Sequence, residues 1–146
     1  MKARIDLLGA MVAHVILVTS ILVFSARLIF KVSPGHWIGI PNLLMAFPLL
    51  YLLLAASKDG RPFLYYLQIS VMLIWVITLL LVDYIFKVDF RQTQWMVISY
   101  VMLFFAGIGG MIGIASLAGK RWAISAIILF LISAVLAFVQ RAVTGY

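Results

Sequence analysis

Two histidines, four aspartates, no glutamate and no cysteine are nearly the whole stock of side chains in this 146-residue chain that could hold a metal or move a proton. His14 and His36 lie on different segments, and Asp6, Asp59, Asp83 and Asp89 are scattered. No two of these residues have the spacing that presents paired ligands on one helix face. The lack of cysteine removes disulfides, thiolate nucleophiles, iron–sulfur ligation and cysteine-based zinc sites. One histidine inside an apolar run could complete a two-histidine haem site only if a symmetric dimer supplied a second copy. The glycine-rich stretch Phe105-Ala106-Gly107-Ile108-Gly109-Gly110-Met111-Ile112-Gly113 is not a phosphate-binding loop, because it lacks a preceding strand and a following lysine. This inventory predicts no catalytic, cofactor-binding or metal-binding residues and a protein that is not an enzyme.

The elements around these residues are set by composition. Hydrophobic residues make up 66% of the chain and charged residues 10%, against about 45–50% and about 25% in soluble domains. Five apolar runs, 7–30, 37–56, 63–86, 95–117 and 122–143, fill almost all of it. Each is close to the ~20 residues a helix needs to cross ~30 Å of hydrocarbon. The runs are continuous rather than alternating, and lipid cannot pair free peptide groups, which favours helices over a barrel. The expected fold is an all-α integral membrane protein, one bundle of five transmembrane helices with short loops. Lys2 and Arg4 ahead of an apolar stretch resemble a secretory leader, but that stretch is longer than a leader core and has no clear cleavage site, so it is read as the first helix.

Pro41 and Pro48 interrupt the second run. Pro41 lies near the helix start, where a missing N–H costs little, whereas Pro48 frees the carbonyl of Leu44 and is expected to kink the helix as a hinge. In the fourth run, Ala106, Gly109, Gly110, Gly113 and Ser116 form a small-residue stripe, the expected close helix–helix contact.

Polar residues inside the runs are few. With odd-numbered helices leaving the N-terminal end and even ones returning, His14, Gln68 and Ser125 fall in the half nearer that end and Asn42 in the other. Trp75, near the middle, has an indole N–H that needs an acceptor. These five residues are the candidate intramembrane polar site. Asp83, the only acid inside a run, is expected in an interfacial ion-pair cluster with Lys87, Asp89 and Arg91. Trp37, Tyr65, Tyr66, Tyr84, Trp95 and Trp122 are expected interfacial anchors.

The net charge of +7 would suggest nucleic acid in a soluble protein. Here the cations lie at helix ends, where they reach headgroups, so the expected partners are the lipid bilayer and other membrane subunits or further copies of the chain, with no nucleic acid. Six Lys and Arg on the N-terminal side against five opposite lean only slightly to a cytoplasmic N-terminus and allow dual insertion. Tiny loops leave recognition to the helices. The expected role is therefore a non-catalytic subunit or assembly factor, with a small oligomeric transporter or channel as the alternative.

Overall fold

In the computed structural model, residues 2–30, 36–87 and 93–144 are described. All regular structure among them is helical: α1 spans Lys2–Phe30, a 3₁₀ turn His36–Gly39 leads into α2, Ile40–Leu44, and α3 spans Ala46–Asp59. Then follow α4, Phe63–Leu79, widened into a π-helical turn at Leu80–Ile85, α5, Gln94–Ser116, and α6, Lys120–Thr144. Five stretches, Lys2–Phe30, Trp37–Asp59, Phe63–Ile85, Gln94–Ser116 and Lys120–Val143, are long and apolar enough to cross a membrane. The first helix starts five residues before its apolar run, because Lys, Ala and Arg are good helix formers and continue its phase.

Helices α2 and α3 of the second span meet at Met45. Its N–H reaches the Pro41 carbonyl at 3.2 Å, and Leu49 N–H returns to the Met45 carbonyl at 3.0 Å. Hydrogen bonds of helical spacing thus run through Met45, while the Leu44 carbonyl cannot receive one from Pro48, which has no N–H. Past α3, Gly60 turns left-handed (φ 59°, ψ 46°), and Arg61 N–H closes back onto the Ala56 carbonyl at 3.3 Å. A residue without Cβ takes this conformation freely, and the closure ends the helix sharply. Pro62 then starts α4 from an extended conformation.

Helix α4 packs on α3 and α5, while α1 packs on α3, α5 and α6, and α5 on α6. The order α3, α4, α5, α6, α1 thus closes into a ring, braced across by α1 on α5. Inside, large apolar side chains such as Ile16, Leu17, Leu49, Leu52, Ile69, Met72, Ile108, Met111 and Ile114 alternate with small ones: Gly9, Ala10, Ala13, Ser20 and Ala26 of α1, Ala56 of α3, and Ala126 and Ser133 of α6 are buried as well. Large apolar side chains such as Phe47, Leu54, Ile128, Leu131, Val135 and Phe138 point outward. The small inner residues let backbones approach closely. Between the small contacts, Phe104 fills the centre, edge-on to Phe24 at 5.7 Å and against Trp75 at 5.2 Å. That aromatic cluster joins α1, α4 and α5.

Candidate functional site

At the end of the bundle where α1 begins, α3 turns into α4 and α6 begins, two polar groupings form. The first is built on His14. Its Nδ1 lies 2.8 Å from the Ala10 carbonyl one turn earlier, and its Nε2 lies 2.6 Å from Ser125 Oγ on α6. A carbonyl only accepts, so Nδ1 carries the hydrogen and donates to it. The Ser125 hydroxyl then donates to Nε2 in the neutral ring. The same hydroxyl also lies 3.1 Å from the Trp122 carbonyl. An imidazolium would donate from both nitrogens while Ser125 donated to Trp122, so the geometry pairs every group in either protonation state. The Trp122 indole stands perpendicular to the imidazole at 4.9 Å between centroids and walls the site.

The second grouping is not visible in the spacing of its residues. Arg61 Nη2 lies 2.7 Å from Asp6 Oδ1 and 3.9 Å from Asp59 Oδ2, and the Arg61 guanidinium sits 5.2 Å from the centroid of the Tyr65 ring. The Asp6, Asp59 and Arg61 side chains are only 15%, 7% and 10% exposed. Neither carboxylate meets hydrogen-bond geometry at its contacting oxygen, so the attraction is Coulombic rather than directional. The left-handed turn at Gly60 explains the placement, since it folds Arg61 back over the end of α3 and towards α1. Alternation of the spans, which puts the N-terminus and the second loop at one end, was the signal for it. Tyr65 is correspondingly no interfacial anchor: it is 2% exposed, under the guanidinium.

The glycines of α5 form a close seam that takes in Gly110 and Gly113 of the expected stripe but runs through Gly107 rather than Gly109. A Cβ added at Gly110 would lie 3.3 Å from Gln68 Cα, and one at Gly107 would lie 3.4 Å from Met72 Cα. Gly113 abuts the Gln68 amide. Ala106, Gly109 and Ser116 instead face outward, and a Cβ on Gly109 would meet nothing within 4 Å. The reason is rotation: the buried line of α5 runs Phe104, Gly107, Ile108, Met111, Ile114 and Ala115. One residue of offset turns a helix by about 100°. On the other side, Gly9 brings α1 against Ile114, whose Cγ2 would lie 2.6 Å from an added Cβ.

The five candidate polar residues do not make one site. Hydrogen bonds among the described residues join only His14 to Ser125 within that set; Gln68 lies on the glycine seam, and Trp75 packs on Phe104 with its Nε1 unpartnered. Asn42 is buried near the opposite end with Oδ1 unpartnered. There too, Tyr100 OH approaches Asp83 Oδ2 at 3.5 Å, and the Tyr84 hydroxyl closes on Gly39. Lys87 makes no ion pair with Asp83, contrary to the four-residue spacing. The π turn adds a residue to the ladder, with Phe86 N–H on the Leu81 carbonyl at 2.8 Å, and Lys87 leaves the helix at φ 47°. Asp89 and Arg91 lie outside the described residues.

No family model, curated protein or solved structure matches the chain. Its chemistry therefore rests on its own residues, chiefly the His14–Ser125 pair. Ser125→Ala strips His14 Nε2 of its partner and is expected to cost about 1–2 kcal/mol, whereas His14→Leu with Ser125→Ala, which removes both polar partners, should cost less than the two single changes added. Thermal unfolding of the four proteins in one detergent measures the difference; additive effects would mean that the pair does not couple α1 to α6.

Proposed function

We propose that this chain is a multi-pass integral membrane protein acting as a non-catalytic subunit or assembly factor that docks onto other membrane helices. The five long apolar helices and the many large apolar side chains left exposed on their outer faces support the membrane reading. Large apolar side chains exposed on every one of the five spans are more than the scattered surface hydrophobics of a soluble monomer. The observation that carries the docking reading is the outward line Ala106, Gly109 and Ser116 on α5. Acyl tails gain nothing special from small side chains, but a second helix can approach closely there.

The test is purification from the native membrane in mild detergent. A stoichiometric partner or a further copy is expected with the wild type and is expected to be lost from Gly109→Leu, a change that leaves the bundle itself intact. Recovery of a lone chain would refute this reading.

A second reading, a small oligomeric transporter or channel, draws on the His14–Ser125 pair, whose groups stay hydrogen-bonded whichever one donates, and on Pro48, whose missing N–H would let the second span hinge. Proton or solute flux in liposomes above that of empty vesicles, lost in His14→Ala or Pro48→Ala, would favour it over the subunit role.

A further inference from the structure

We propose that the N-terminal end of the bundle is a docking surface for the headgroups of anionic phospholipids, and that this end sits in the anionic leaflet of its membrane. The proposal rests on the reading that the bundle spans a bilayer. It starts from how the structure sorts the charges of this end. Lys2, Arg4, Lys58, Lys120 and Arg121 are all exposed. The two acids, Asp6 and Asp59, are turned inward onto Arg61 and largely covered. Charge on the outside of this end is thus of one sign, although the sequence interleaves acids and bases. No exposed carboxylate competes with an arriving anion or screens the five cations.

The cations are also grouped. Helices α1 and α6 pack side by side and both begin here, so Lys2, Arg4, Lys120 and Arg121 stand on neighbouring helix starts, with Lys58 at the end of α3. Two adjacent helix N-termini add the positive ends of their dipoles and their unpaired N–H groups, suited to phosphate oxygens. Below this collar the surface turns apolar at once, with Leu7, Met11 and Val15 of α1 and Ile124, Ile127 and Ile128 of α6 exposed. Lys2 stands only about 7 Å along the axis from Leu7. A ligand that satisfies both zones needs an anionic head and apolar tails. Nucleic acid or an acidic peptide would satisfy the collar and leave the apolar band uncovered, so a phospholipid is the better fit. Each cation near such a surface is worth about a fivefold preference for anionic lipid.

The experiment uses the full chain in bilayer nanodiscs in which brominated phosphatidylglycerol or brominated phosphatidylcholine is a minor component, with quenching of tryptophan fluorescence as the readout. Trp122 lies at the collar. Preferential quenching by the anionic lipid, at least about fivefold in apparent affinity, reduced by high salt and weakened by about fivefold or more in Lys120→Gln/Arg121→Gln, is expected. Lys87→Gln/Arg141→Gln at the other end should leave it intact. Inorganic phosphate that matches the lipid's effect at equal concentration would mean a simple anion site. That result, equal quenching by both lipids, or loss of preference only in the Lys87/Arg141 variant would overturn the proposal. The salt titration on the wild type decides the matter even if a variant misfolds. A chain that needs lipid or detergent to stay folded but shows no headgroup preference would sink this proposal alone and leave the spanning reading standing.

Discussion

Gly110→Leu is expected to destabilise the bundle by about 3 kcal/mol, while Gly109→Leu, one residue away, changes stability by no more than about 0.5 kcal/mol. At Gly110 the added Cβ alone would lie 3.3 Å from Gln68 Cα and 3.2 Å from its Cβ. Backbone cannot step aside as a flexible side chain can, so a leucine there must push α5 away from α4 along the seam that also holds Gly107 against Met72. At Gly109 the same atoms enter open space. Thermal unfolding in detergent, followed by circular dichroism, compares the two directly. Equal losses, or a larger loss at Gly109, would show that α5 is rotated differently about its axis. The pair also separates fold from docking, since only Gly109 lies on the face proposed to meet a partner.

Arg61→Met should be the most damaging of the charge changes, costing about 3 kcal/mol or more. It leaves Asp6 and Asp59 covered at the end of the bundle with no counter-charge, and breaking a buried ion pair from one side leaves the other charge uncompensated. Asp6→Asn should cost less, because Asp59 still faces the guanidinium. In the double variant Asp6→Asn/Arg61→Met the losses should fall short of their sum by about 1 kcal/mol or more, the signature of direct contact. Covered charges are screened weakly, so this coupling should persist at high salt, unlike the lipid preference of the exposed collar. A coupling that vanished in high salt would place the pair in open water and remove its role as the clasp between α1 and the α3–α4 turn.

Much of the architecture is legible in the residues. Run length foretells five spans, and their ends agree with the observed helices to within a few residues except at Lys2, where charged helix formers extend α1 outward. Alternation of the spans puts His14 and Ser125 in the same half of the bundle, and they meet. The same alternation puts Asp6 and Arg61 at one end, yet the ion pair depends on a backbone detail, the left-handed Gly60, that charge counting does not reveal. Asp83 and Lys87 have the spacing of a helical ion pair, but a π turn changes the ladder beneath them. The small-residue stripe of α5 has the composition of a seam, and the seam keeps its Gly110 and Gly113 but runs through Gly107 in place of Gly109.

These cases share one cause. Length and apolarity along the chain suffice to set how many helices there are and which way each runs, because every residue of a run contributes alike to crossing an apolar layer. Rotation about a helix axis is different. These helices are apolar all round, so no single polar face points outward and no stripe is chosen for the inside by hydrophobicity. Which glycine meets Gln68, which acids turn onto Arg61 and which small residues remain uncovered are settled by the mutual fit of neighbouring helices, and that fit exists only once all of them are packed.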